Sequence, residues 1–262
     1  MISAVTSAIA DVLFRLVYLK LAALAYIIQA LQGARLKVTG LENMPRHGGA
    51  VLACNHIGYM DPMYLALVPL MVRRRMRYLG KKELWEHSVT RFLATASRGI
   101  PVDRSAGTSA YEAAVKALCE GDFVGIFPEA TISRSFELKE FKSGAARMAI
   151  EAGVPVVPVV LWGTQRIATK GHPFRILGWN RQIQAHVGEP IEPGMPPQEL
   201  LDRLHREMEV LLRAAQDAYG AHPKGQPWVP ARLGGAAPTL IEANAMDARD
   251  HEWARRTGPE PA

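Results

Sequence analysis

The stretch Gly49–Val72, GAVLACNHIGYMDPMYLALVPLMV, changes its pattern halfway along. Ala50 to Cys54 are apolar without a break, as in a short strand buried on both faces. From Asp61 the pattern becomes helical, with Asp61 and Pro62 fitting the N-cap and first-turn positions. Between the two lie Asn55 and His56, polar residues set just beyond a buried run. Strand, turn and helix in that order is the repeating unit of a parallel α/β sheet.

The same unit recurs outward from this stretch. RLKVTG (35–40) and RQIQAHVGEPI (181–191) alternate apolar and polar residues and predict strands, the second at a sheet edge. GIPVDR (99–104), DFVGIFPEA (122–130) and VPVVPVVLWG (154–163) predict further strands. The prolines of the last suggest a strand end or an edge position. Helical periods cover 88–97, TSAYEAAVKALCEG (108–121), KSGAARMAIEAG (142–153) and the long amphipathic PPQELLDRLHREMEVLLRAAQDAYG (196–220). The expected fold is α/β, a mostly parallel central sheet flanked by helices, with a helical membrane-anchoring segment at the N-terminus. Residues 1–33 form that anchor, 34–220 the α/β domain, and 221–262 a Pro/Gly-rich tail strapped on the surface or partly disordered.

Length and composition bound the function. The 262 residues suffice for one sizeable core, and 48% hydrophobic with 21% charged residues is a globular balance. The net charge of +6 suits an anionic partner: a membrane surface, a phosphorylated metabolite or nucleic acid. No nucleic-acid motif is present, and the basic residues are not interleaved with aromatics as a base-stacking surface requires. Cys54 and Cys119 both lie in apolar contexts and predict reduced core thiols in a cytosolic compartment. Ile2–Gly33 is strongly apolar, but Asp11, Arg15 and Lys20 interrupt it. The longest clean run is shorter than the ~20 residues a spanning helix needs. A buried core helix and an anchor lying in the headgroup plane both fit it. The basic run Arg73–Arg77 would reach anionic headgroups or sit solvated in a loop.

Three polar sites follow apolar strands: Asn55–His56, Arg104 and Glu129. In parallel sheets ligands bind beyond the carboxyl ends of strands, so the three can converge on one cleft. A histidine removes a proton from an alcohol near neutral pH if a carboxylate holds its other ring nitrogen. Five positions apart on one helix would place His56 and Asp61 on different faces, at about 100° per residue. The pair therefore requires His56 in the turn and Asp61 in the first turn of the helix. Helix capping by Asp61 beside an ordinary loop histidine fits the spacing equally. Arg104 offers a planar fork of donors suited to phosphate. Glu129 is followed by the hydroxyls of Thr131 and Ser133.

In this order and spacing, NHIGYMD (55–61), GIPVDR (99–104), FPEATIS (127–133) and VPVVPV (154–159) resemble the four sequence blocks of the glycerophospholipid acyltransferase superfamily, most closely the bacterial 1-acylglycerol-3-phosphate acyltransferases. The resemblance covers roughly Leu36 to Val160. It implies transfer of a fatty acyl group from a thioester, acyl-CoA or acyl-carrier protein, to a hydroxyl of lysophosphatidic acid or glycerol 3-phosphate. His56 would be the general base and Asp61 its orienting partner. Arg104, Glu129, Thr131, Ser133 and Arg134 would hold the acceptor, with Arg104 on its phosphate. No metal and no cofactor is implied; acyl-CoA is a co-substrate. The membrane surface would be met through the N-terminal helices, on the cytoplasmic face of the cell membrane. The third block usually reads Glu-Gly-Thr-Arg-Ser; here Ala130 replaces glycine and Ile132 replaces arginine, with Arg134 two residues on. That departure admits a second acceptor, a sugar hydroxyl on a glycolipid. A non-catalytic basic membrane-binding protein is the reading from another class.

Overall fold

The sheet is built around the stretch Gly49–Val72. The computed structural model describes residues 2–102 and 109–257. Helix α1 (Ile2–Leu31) leads into β1 (Ala34–Thr39), β2 (Ala50–Cys54), α2 (Asp61–Leu70) and β3 (Met76–Lys81). Then follow α3 (Ser88–Ala96), β4 (Ile100–Val102), α4 (Ser109–Cys119), β5 (Phe123–Ile126) and α5 (Gly144–Ala152). The chain continues through β6 (Val156–Trp162), β7 (Arg181–Val187), α6 (Pro197–Tyr219) and α7 (Leu240–Thr257). The strands form one seven-stranded sheet in the order β1-β7-β6-β2-β5-β3-β4. Neighbours are parallel except β6 and β7, which are antiparallel.

Strand alternation divides the core into two layers. Val51 and Ala53 of β2 face α4, α5 and α6 with Val124, Val156 and Val160. Leu52 and Cys54 face α2 with Phe123, Val157, Val159 and Leu161. Because both faces of β2 are covered, its side chains are all buried, which is why its sequence is an unbroken apolar run. The end of α1 is tied to α2 by buried Gln32, whose side chain accepts from the Tyr64 hydroxyl at 2.6 Å and donates to the Met60 sulfur.

Several expectations are corrected. Strand β7 lies between β1 and β6, not at an edge, because β1 pairs with it in parallel from Ala34 to Thr39. Strand β6 is likewise interior despite its proline. Pro158 sits one residue before the β6–β7 ladder of Val159–Trp162, and its carbonyl accepts the Gly188 N–H at 2.8 Å. The missing donor thus falls where that ladder has not begun. Two arginines of the basic run have partners inside the domain. Arg74 donates to the carbonyls of Gly48 and Gly121 and lies over the Phe123 ring, and Arg77 pairs with Asp122 and Glu120. Cys54 is a buried thiol, but Cys119 at the end of α4 is exposed. In the tail, where no helical period stands out, Leu240–Thr257 forms α7. Its start is fixed by a local cap: Glu242 accepts from the Thr239 N–H and hydroxyl, and Thr239 accepts from the Glu242 N–H.

Asn55 closes the sheet where β2 turns away. Its side chain accepts the Leu161 N–H at 2.7 Å and donates to the Leu161 carbonyl at 3.0 Å, continuing the β2–β6 ladder by one rung. Asn55→Ala would leave two buried backbone groups of β6 without partners. Stability should fall by about 2–6 kcal/mol, since each of the two groups costs about 1–3 kcal/mol. Urea unfolding of the variant and the parent measures this directly.

Candidate active site

The carboxyl ends of β2, β5 and β6 supply three segments that meet at one turn. After Asn55 the chain makes a tight loop and enters α2 at Asp61. The Asp61 side chain is fully buried, and Oδ2 accepts His56 Nδ1 at 2.9 Å, the Ile57 N–H at 2.6 Å and the Gly58 N–H at 2.7 Å. Its Oδ1 accepts the Thr164 hydroxyl from just beyond β6. A buried negative charge requires such a set of donors. Asp61 therefore does not cap α2; it grips the turn that carries His56. Gly58 has no room for a side chain, as a Cβ there would lie 2.8 Å from the Ala168 carbonyl oxygen.

His56 is held on every side but one. Its ring stacks on Phe127 with centroids 4.2 Å apart, and its Nδ1 is taken by Asp61. Its N–H donates to Glu129 Oε1 at 2.8 Å and its carbonyl accepts the Ser133 N–H at 2.7 Å. The ring is 18% exposed. With Nδ1 taken by Asp61, Nε2 is the ring nitrogen left without a hydrogen bond among the described residues.

Of the residues expected to hold the acceptor, the structure brings some near and diverts others. Arg104 falls outside the described residues. Glu129 sits directly beneath the turn that carries His56, with Oε2 accepting the Lys139 N–H at 3.2 Å. Burial pushes its carboxyl up to about 8, against the pull of the His56 and Lys139 N–H groups. Ser133 is buried and spends its hydroxyl on the Glu137 carbonyl and Ser135. The Thr131 hydroxyl makes no hydrogen bond among the described residues. Arg134 reaches α7, pairing with Asp250 at 2.7 Å and with Asp247 at 3.4 Å. Ile132, where the resemblance calls for arginine, is buried. Thr164 was not singled out in the sequence, although its place just past a buried strand is the same signal that marks His56 and Glu129. Among the described residues, no group of three or more His, Cys, Asp or Glu side chains is placed to hold a metal ion.

An acyltransferase family profile matches residues 35–162, the span from β1 to the end of β6. The 1-acyl-sn-glycerol-3-phosphate acyltransferase of Bacillus subtilis is 35% identical over 156 residues, covering 58% of this chain and 76% of that protein. The chain belongs to the glycerophospholipid acyltransferase family. The enzyme of the same name from Borreliella burgdorferi is 32% identical over 166 residues, 61% of this chain and 64% of that relative's length. The crystal structure of the 1-acyl-sn-glycerophosphate (LPA) acyltransferase PlsC from Thermotoga maritima shares the fold. Its TM-score is 0.63, covering 78% of this chain and 80% of that one, at 23% identity.

Against the family pattern, Ala130 stands out. It adopts φ of 58°, the left-handed region where the usual glycine sits freely and alanine is strained by about 1–2 kcal/mol. Ala130→Gly should stabilise the chain by about 0.5–1 kcal/mol, because glycine's greater freedom when unfolded offsets part of the relief; thermal unfolding checks it. Glu129 generates a pH prediction. A carboxyl raised from 4.5 to about 8 on folding holds its proton more tightly in the folded state. Its stabilising contribution is full below the unfolded value and is lost as pH rises toward the folded one. Between pH 5 and 8 the urea midpoint of the parent should fall relative to that of Glu129→Gln. Parallel profiles would mean Glu129 is ionised throughout.

Proposed function

We propose that this chain moves a fatty acyl group from acyl-CoA to the free hydroxyl of a 1-acylglycerol-3-phosphate-type acceptor at a membrane surface. The observation that carries the reading is the His56–Asp61 contact of 2.9 Å with the other ring nitrogen left open. In the reaction, His56 Nε2 takes the proton of the acceptor hydroxyl, whose oxygen attacks the thioester carbonyl. The resulting imidazolium is stabilised by Asp61, which Thr164 and the Ile57 and Gly58 N–H groups hold in place. The tetrahedral intermediate then collapses. Its C–S bond breaks, and the CoA thiolate leaves with the proton from His56. The transfer is direct: Cys119 lies at the end of α4, and Cys54, the last residue of β2, is fully buried with its thiol pushed well up by burial.

Acyl chains and lysolipids partition into bilayers, so the apolar surface near the site supports membrane association. Leu19, Tyr26, Ile27 and Leu31 of α1 are exposed, as are Phe92 of α3 and Leu177 and Trp179 of the loop before β7. That loop adjoins α1 through the Gly178 N–H and Leu31 carbonyl, and its Phe174 stacks on Tyr59 of the catalytic turn. No described helix is long and apolar enough to cross a membrane. An anchor lying in the headgroup plane, on the cytoplasmic face of the cell membrane, fits these features. The glycolipid reading is favoured by Ile132, which brings no charge to the loop that follows Glu129.

CoA release should depend on lysophosphatidic acid in the presence of vesicles. His56→Ala should lower kcat by about 10²–10⁴, the range for loss of a general base; near-normal turnover in that variant overturns the mechanism. A panel of lysophosphatidic acid, glycerol 3-phosphate and sugar-headed lipids with one acyl-CoA separates the acceptor classes. Failure of both phosphorylated acceptors alongside turnover of a sugar-headed one would move the assignment to the glycolipid class.

A further inference from the structure

Three cations gather beside the catalytic turn and meet the C-terminal helix. Arg134, Lys139 and Lys170 all pair with Asp247, and Arg134 and Lys170 also reach Asp250. Each cation is tied closely to the site. Arg134 follows Ser133, whose N–H donates to the His56 carbonyl. Lys170 follows Thr169, whose hydroxyl donates to the Ile57 carbonyl at 2.7 Å. Lys139 donates its own N–H to Glu129, the carboxyl under His56. The side chains of Arg134, Lys139 and Asp247 are 13%, 12% and 7% exposed, so the charges are largely out of water. Buried cations require an anion, and one partner removed without replacement is strongly destabilising.

The helix that supplies the anion buries few of its side chains over its first ten residues. Between Ile241 and Asp250, only Ala243 and Asp247 are buried. Upstream, the tail is fixed by buried Val229 and Ala237, and the chain enters α7 through Pro238 and Thr239. A cleft of about 550 Å³ opens between α7 and the cluster. Arg134, Lys170, His172 and Arg249 line it with Met246, and Glu242 is the acid at its wall. Burial and the charges of Arg134 and Arg175 hold His172 below its usual value, consistent with a positive local field. The two carboxylates together carry about the charge of one phosphate dianion, and present oxygens as it does.

We infer that Arg134, Lys139 and Lys170 form a phosphate-binding site beside the catalytic turn, which Asp247 and Asp250 of α7 occupy as an internal substitute until a phosphomonoester displaces them. The site and its cover follow from the ion pairs; assigning its ligand to a substrate rests on the acyltransferase reading. Under that reading the phosphate belongs to the acceptor or to the 3′-phosphate of CoA. The helix then keeps the site closed in the absence of substrate, in a position the family's usual arginine does not occupy.

The test uses the full chain at constant ionic strength with chloride as the balancing salt. Glycerol 3-phosphate, CoA, 3′-dephospho-CoA and inorganic phosphate are titrated by calorimetry into the parent and into Asp247→Asn/Asp250→Asn. The variant should bind at least one phosphomonoester about tenfold more tightly, the effect of removing a competitor worth one decade of affinity. Adding Arg134→Gln and Lys170→Gln should abolish the gain. A gain for glycerol 3-phosphate assigns the acceptor, and a gain for CoA but not for its dephospho form assigns the donor. A gain with all phosphates and no CoA release on any acceptor keeps the site and discards the acyltransferase reading. In the unmodified chain the same ligand should speed tryptic cleavage after Arg249, a readout that does not depend on the variant folding. No gain for any ligand, together with an unchanged cleavage rate, overturns the inference and leaves the cluster as a structural clasp.

Discussion

The site depends on one buried carboxylate. Asp61 gathers donors from the His56 ring, from the Ile57 and Gly58 backbone, and from Thr164 after β6. Each contact does a second job. The backbone donors shape the turn, the Thr164 hydroxyl ties that turn to the next strand, and the ring contact fixes the tautomer of His56. A group that answers so many donors at once cannot shift without disturbing all of them, so the geometry of His56 is set by the fold.

The sheet makes that arrangement possible. Strands β2, β5 and β6 are parallel neighbours, so their carboxyl ends open on the same side. Asn55 and His56 follow β2, Glu129 follows β5 and Thr164 follows β6, and a side chain's length suffices to join them. Glu129 takes the N–H of His56 while the Ser133 N–H takes its carbonyl, so the loop after β5 brackets the histidine from beneath. The same crowding excludes water from Glu129 and raises its carboxyl.

The alternation of strand and helix was legible because each element obeys one period: β2 is apolar throughout since both faces are covered, and α6 is amphipathic since one face is. The neighbourhood of His56, Asp61 and Glu129 was legible from their common place after apolar strands. Strand order was not, since the alternating pattern of β7 is the same whether β1 pairs with it or water does. Pro158 argued for an edge, yet an interior strand accommodates it where a neighbouring ladder has not begun. The tail helix was not legible because few of its described residues are buried, and hydrophobic periodicity is silent about ion pairs such as those of Asp247 and Asp250. Thr164 offered no motif, only a position.

By itself, the sequence determined the fold class, the family, and which polar residues stand at strand ends. Those follow from local periodicity and from residues close together in the chain. Only the tertiary structure decided what Asp61 does with its two oxygens, and that Arg134 answers α7 carboxylates more than one hundred residues away. A carboxylate's role is set by which donors surround it in space, and Thr164 and Asp61, 103 positions apart, meet only when β6 is laid beside β2.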